Sequence, residues 1–547
     1  MHKMTFTSRI LTRATWSVSL VAVASSLGQT TGPTSSDSPY LLGAAAGVQT
    51  VSLLTVGDSA GGARLVGVPD GIGAFGNNDG TFTVVVNHEL LSSQGIVRAH
   101  GGKGAFVSKW IIDKDTLAVL SGSDQIQTVF LWNAGTMVYD QVSNAVFKRF
   151  CSGDLAPTSA FFNAASGLGT QEMIYTNGEE TGQEGRAFAH VLSGASAGQT
   201  YELARCGNLS FENALAAPGA GDTTVVIGLE DATGGQVYVY VGQKTSVGNE
   251  IDKAGLTNGN LFGLVVTGLP SENVSNGLGG PTSRAFSLHN FGDVSAWDGA
   301  MLQSQSNANN VTTFLRPEDG HFDPNKPSDF YWVTTGASGG PGRLWRLRFN
   351  DITNPASGGT IDMLLDGTEG IINPDNVSVD GVGHVLIQED RGSSSALARI
   401  WLYNAVTDSL TLVAQHDAAF FQSGGANFLT TNEESSGIID ALSILGDGWF
   451  LCDVQAHFTN SDPELVQGGQ LVALFIPQAA FGFGDLNCDG ARDLLDVDAF
   501  VLALIDPAAY GVMFPACDQF LADVNGDGLI DGRDVGSYVS LLLTGTP

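Results

Sequence analysis

Short apolar runs in this chain repeatedly end in side chains able to coordinate, accept or donate. Thr81–Val86, rich in β-branched residues, runs straight into Asn87-His88-Glu89. Comparable endings are Glu179-Glu180, Glu212-Asn213, Glu230-Asp231, Glu318-Asp319, Asp375-Asn376, Glu389-Asp390-Arg391, Glu433-Glu434 and Asp453 to His457. A strand aims the side chain at its end more rigidly than a loop does. Adjacent carboxylates repel unless a proton or a cation stands between them. Many such pairs around one mouth therefore call for metal. Oxygen donors select calcium, and a thiolate from Cys151 would admit a transition metal such as iron. Taken singly, each pair is more often a solvated turn than a ligand set, and His88 reads as a packed, hydrogen-bonded core residue.

Arg391 is a guanidinium set among acids. It reads either as a structural partner of Glu389 or Asp390 or as a fork holding two phosphate oxygens. Cys151 is either a ligand, a buried inert thiol, or a partner of Cys206. No Ser or Thr stands in a convincing nucleophile setting.

A second kind of acidic cluster lies near the C-terminus. Asp485, Asn487, Asp489, Asp493 and Asp496 supply oxygens at positions 1, 3, 5, 9 and 12 of a loop, with Gly490 at its sharp bend. Asp523, Asn525, Asp527, Asp531 and Asp534 repeat the pattern around Gly528. Ala491 and Leu529 would lend backbone carbonyls at position 7. Each loop opens a helix with the same apolar stripe: Val497, Phe500, Val501, Leu504, then Val535, Tyr538, Val539, Leu542. This is EF-hand-loop spacing with Asp in place of the closing Glu, and it predicts two calcium sites.

The elements that must position these groups are mostly strands. The chain has 547 residues, 71 of them Gly, and only 15% are charged, which favours turn-rich β-structure. Between about 46 and 476, short β-type runs alternate with Gly, Asn and Asp turns. The pattern predicts an all-β β-propeller whose loops would gather the acidic tips at one mouth, and the length suits six blades, although no sharp repeat marks them; a two-sheet sandwich is the alternative. Residues 25–45 read as a flexible lead-in, 477–484 as a linker, and 485–547 as a small α-helical calcium module. Cys488 and Cys517, both in that module, are expected to pair.

Residues 1–24 read as a secretory signal, with Lys3, Arg9 and Arg13 ahead of an apolar stretch and Ala22-Val23-Ala24 as the cleavage site. The expected location is outside the cytoplasm: periplasmic, extracellular or cell-surface. No membrane span is predicted. A net charge of −32 argues against nucleic acid as a partner.

Two resemblances follow from these motifs. Residues 485–547 resemble type I dockerins, which implies a cohesin-like partner; Cys488 at loop position 4 departs from the usual pattern. Asn87-His88-Glu89, Cys151, Glu179-Glu180, Glu212-Asn213-Ala214, Glu318-Asp319-Gly320, Pro374-Asp375-Asn376 and Glu389-Asp390-Arg391, in that order, resemble the PhoX-type alkaline phosphatases over residues 65–475. The resemblance implies hydrolysis of a small phosphate monoester at an iron and calcium site. Carried over, Cys151 with Glu179 or Glu180 would bind iron, and Glu318, Asp231, Glu389 and Glu212 would serve calcium. Asn87 and Arg391 would grip phosphate. Members of the family carry a Gly-Gly-Thr-Pro-Trp-Gly-Thr run after the cysteine and a twin-arginine signal; this chain has neither. The rival expectations are a non-catalytic, calcium-stabilised propeller acting in binding or adhesion, and a calcium-dependent phytase or phosphodiesterase.

Overall fold

The computed structural model describes residues 28–336, 341–405, 407–479, 482–488, 492–514, 517, 519–525 and 529–544. The expected signal, residues 1–24, lies outside them, as do Asp489, Ala491 and Asp527 of the calcium loops.

Six mainly antiparallel blades surround one axis. Their innermost strands are Pro69–Gly76, Phe150–Asp154, Phe211–Ala216, Pro317–Phe322, Pro374–Val379 and Glu433–Asp440. Each packs against the next, and the last returns to the first. The architecture is a six-bladed β-propeller. The third and fourth blades share an outer edge, Ser283–Gly292 pairing with Gly359–Leu365. The sixth is stitched from both ends of the chain, because Gln49–Thr55 pairs antiparallel with Gly468–Phe475.

Period-two alternation in these strands fills the wedges between blades with apolar side chains. Leu386 and Ile400 meet Phe450 and Val472 between blades five and six. Val84 and Trp110 meet Leu451 and Leu471 between six and one. Cys206 and Cys452 are unpaired and belong to such wedges; burial pushes the Cys206 thiol up to about 12, so both are inert packing groups. Near the axis the backbones touch. A Cβ on Gly71 would lie 2.1 Å from the Gly153 nitrogen, so blades one and two come this close only because residue 71 is glycine.

One expectation needs correcting. Residues 28–45 are not a loose lead-in. Gly28–Thr31 adds a parallel strand to Gln49–Thr55, and Leu41–Gly43 extends the fifth blade beside Ser409–His416. These outer edges offer unpaired backbone groups that even a Ser/Thr-rich segment can satisfy. The β-domain also carries a ten-residue helix, Gly299–Ala308, capped by Asp298, whose carboxylate accepts from Met301.

In the C-terminal unit, Val497–Ile505 and Asp534–Thr544 are helices. Phe500 and Tyr538 hold equivalent places and stack at 3.8 Å. The loops before them match in detail. Asp496 accepts from the amides of Asn487 and Asp493, and Asp534 from those of Asn525 and Asp531. Cys488 and Cys517 form a disulfide.

Glu272 and Arg343 pair with side chains wholly shielded from water, and Glu272 also accepts from the Leu315 amide at 2.7 Å. Breaking such a pair from one side leaves a bare buried charge. Arg343→Ala is expected to cost about 3–5 kcal/mol in urea unfolding, and the double change Glu272→Met/Arg343→Met distinctly less.

Candidate metal centre

The mouth of the propeller is built from two six-membered rings. The inner ring takes the second residue of every innermost strand: Asp70, Cys151, Glu212, Glu318, Asp375 and Glu434. The outer ring takes the residue just after each second strand: Glu89, Glu180, Asp231, Thr335, Asp390 and His457.

One backbone hydrogen bond fixes the pair in every blade. The amide of the outer residue donates to the carbonyl of the residue preceding the innermost strand: Glu89 to Val68, Glu180 to Arg149, Asp231 to Ser210, Thr335 to Arg316, Asp390 to Asn373 and His457 to Asn432, at 2.9–3.2 Å. In five blades the register slips at the first residue of the inner strand, as between Phe150 and Gly153 or Pro374 and Val377. Such bulges re-aim a side chain.

Val68, Arg149, Arg316 and Asn373 precede their inner strands with positive φ, at 53°, 50°, 62° and 42°. This conformation is uncommon without glycine and clusters at functional sites. It turns Arg149 and Arg316 into the mouth from corresponding places in blades two and four. Arg149 meets Glu89 and Glu180. Arg316 holds both oxygens of Asp231 at 2.8 Å and reaches Glu318 at 3.1 Å. Their side chains remain 38% and 40% exposed.

The ligand atoms form overlapping triads: Asp70, Glu89, Cys151; Cys151, Glu180, Glu212; Glu212, Glu318, Asp375; Asp375, Asp390, Glu434. Within each triad the atoms lie inside 4.8 Å of one another. Asp70, Glu212 and Glu318 are each 1% exposed. Burial, then mutual repulsion, drives Asp70, Glu212 and Asp375 well above the usual carboxylate range. Burial also lifts Glu318, with Asp231 adding and Arg316 opposing. Glu89 and Asp390 rise to about 7, again chiefly by burial. The Cys151 thiol is raised by burial and then by Asp70 and Glu212. Burial opposes the ionised state of Glu434, yet contact with His457 and Ser436 brings it below its ordinary value, while Glu434 helps hold His457 up at about 9. A close-set donor group of eight carboxylates, all but Glu434 raised, and one thiol fits hard divalent cations, with Cys151 adding a place for a softer metal.

The strand-end pairs divide their labour. In Glu179-Glu180, Glu389-Asp390 and Glu433-Glu434 the second acid faces the mouth and the first is held in the scaffold. Arg186 holds Glu179 at 2.8 and 3.0 Å. Arg399 holds Glu389 at 2.8 Å through two nitrogens, and Trp401 adds a third contact. The sequence expectation that Glu179 or Glu389 is a ligand thus moves one residue along, because alternate residues of a strand face opposite sides.

Arg391 is spent in the same way. It binds Glu433 and the carbonyls of Phe421 and Ser394, with a side chain only 9% exposed. It does not reach the mouth. Asn87 is wholly buried; it donates to the carbonyls of Cys151 and Ser152 and accepts from Asn177. It anchors the strand that carries Cys151. Cys151, Glu180, Glu212 and Glu318 are brought together as expected, and Asp231 stands beside them through Arg316. Asp70, Glu89, Asp375, Asp390 and Glu434 complete the cluster; all but Asp70 lay in the acidic tips read from sequence. Gly-x-Ser-x-Gly runs centre on Ser59, Ser196 and Ser338. Ser59 lies in a two-residue hairpin strand and Ser196 in a short 3-10 turn, neither at a strand-to-helix elbow; Ser338 is outside the described residues.

Carboxyl groups whose folded values lie above their unfolded ones leave the native state holding more protons, so stability falls as pH rises. Chelator-treated protein is expected to lose stability from about pH 4, the ordinary carboxylate value, to beyond pH 7, where Glu89 and Asp390 titrate. Added calcium should flatten that slope. Thermal melts across pH with and without calcium check this.

No family model and no curated protein matches the sequence. Among solved structures the fold is similar to PhoX of Pseudomonas fluorescens in complex with vanadate, a transition state analogue, at 12% identity and a TM-score of 0.57, covering 79% of this chain and 95% of that one. A fungal alcohol oxidase of the AA5 family in complex with copper (11% identity, TM-score 0.34, 77% and 79% coverage) and a gluconolactonase from Xanthomonas campestris (10%, 0.28, 76% and 98%) are matched more loosely. At these identities the likeness is one of fold: this chain is built as a PhoX-like propeller.

Proposed function

We propose that this protein is a metal-dependent phosphomonoesterase acting at the propeller mouth. One observation carries the reading. Two half-exposed guanidiniums, Arg149 and Arg316, are mounted on corresponding left-handed residues inside a wall of buried acids. Forked donors of this kind suit the oxygens of a phosphoryl group. The fold likeness to PhoX, which was solved in complex with vanadate, a transition state analogue, and the order of motifs add support. Calcium, with iron at Cys151, is the metal set we assign; cations there would supply Lewis acidity toward phosphate oxygens.

The chain's own residues do the rest. Arg149 and Arg316 grip the phosphoryl oxygens and stabilise their charge as it develops. Glu89, Glu180, Asp231 and Glu318 orient those guanidiniums through the ion pairs described above. The buried carboxylates keep the site charged and fixed. Arg391 and Asn87 act on the scaffold.

We also read the C-terminal unit as a calcium-stabilised, dockerin-like module with a cohesin-like partner. Its outward helix positions are apolar and open: Val501 is 44% exposed, Val539 47%, Ile505 75% and Leu543 80%. Residues 1–24 and the Cys488–Cys517 disulfide suit an exported protein.

The test is p-nitrophenyl phosphate turnover at alkaline pH with calcium, alongside elemental analysis. Arg149→Ala and Arg316→Ala should each lower kcat/KM by about 10²–10³-fold, with cations retained. Arg391→Ala should lower the melting temperature and leave turnover per folded molecule unchanged. Full cation occupancy without turnover would instead favour a binding module.

A further inference from the structure

The axis of the propeller holds a second chamber at the end away from the acid rings. It is a cavity of about 440 Å³ lined by the far ends of all six innermost strands and the turns that follow them. A hydrogen-bonded layer closes it toward the mouth. Asn376 donates to Ser152 at 2.6 Å, Ser152 donates to Glu212, and Asn213 donates to Asp319 at 2.8 Å.

Its wall is apolar over most of its extent, with Ile72, Phe75, Leu155, Leu215, Val377 and Ile438. The charged side chains in it are Asp154, Asp319 and Asp440; no Lys or Arg lines it. At the closed end lies Asn376, 1% exposed, whose side-chain carbonyl oxygen is buried without a partner. Such an acceptor costs free energy until a donor reaches it. Burial holds Asp154 up at about 7 and Asp440 at about 6, so a positive charge would relieve both.

We propose that this chamber is a second binding site, for an organic cation in which an ammonium group carries an apolar body. The ammonium supplies the donor that Asn376 lacks and a counter-charge to carboxylates that so far accept only from neutral amides, those of Ala216, Asn213, Val377, Gly381 and Leu442. The apolar body is removed from water against the strand side chains. An anion of the same shape is rejected by the three acids, and a neutral alcohol gains only the apolar part.

The experiment is calorimetric titration of the full chain at pH 8 with hexylammonium chloride, hexan-1-ol and sodium hexanoate. Hexylammonium should bind about ten-fold more tightly than hexanol or better, a difference of about 1.4 kcal/mol, and hexanoate should give no saturable heat. Asp154→Asn should weaken the ammonium by a similar factor. Leu442→Trp, at a rim position 41% exposed and so safe for folding, should block entry, whereas Asp390→Asn in the mouth should leave binding intact. Equal affinity for all three probes, or an absence of binding, overturns the proposal. So does a loss confined to Asp390→Asn, which would place the ammonium among the acid rings.

Discussion

The mouth depends on one repeated backbone hydrogen bond, from the amide after each second strand to the carbonyl before each innermost strand. It is made six times around the axis. It uses no side chain, so the side chains on either side are free to be acids, a thiol, a hydroxyl or an imidazole. By closing the two central strands of a blade at the same height, it sets each inner donor beside an outer one. Eight carboxylates come together because the backbone geometry repeats, and their repulsion is borne by the apolar wedges between blades. This is stored strain of the kind found at functional sites, and the left-handed Val68, Arg149, Arg316 and Asn373 carry part of it.

Strand-end pairs show how the cluster is stiffened. Glu179, Glu389 and Glu433 each engage an arginine, namely Arg186, Arg399 and Arg391. Those guanidiniums balance charge just outside the mouth without entering it. The acid that follows in sequence is thereby held by a backbone that cannot swing. An Arg set next to an acidic pair is, on this pattern, a mark of scaffold; the guanidiniums that face the opening come from the residue before an inner strand.

The strands and the acidic tips were legible because β-branched alternation and turn residues are local signals; six blades followed only from the length of the β-region. Phe106–Asp113, Thr223–Glu230, Arg343–Phe349 and Trp449–Ala456 all fall where apolar runs predict strands. The mouth also left a trace: Val68-Pro-Asp70, Arg149-Phe-Cys151, Ser210-Phe-Glu212, Arg316-Pro-Glu318, Asn373-Pro-Asp375 and Asn432-Glu-Glu434 share one short form. Unequal insertions separate these triplets and hid the repeat, which is why Asp70 escaped notice. The choice within each acidic pair could not be read either, since it turns on which face of the strand meets the axis. Small polar composition misled over residues 28–45, where sheet edges supplied partners that the segment does not advertise.

The sixth blade imposes an order on assembly. Its sheet joins Gln49–Thr55 to Gly468–Phe475, and the Tyr40 amide meets Gln470 across 430 residues of chain. The circle therefore stays open until segments 430 residues apart have met. Contacts of such sequence separation form late, so Glu434 and His457 are the last donors to arrive and the pocket of acids is complete only at closure. The two rings of donors are closed only when those distant segments have paired.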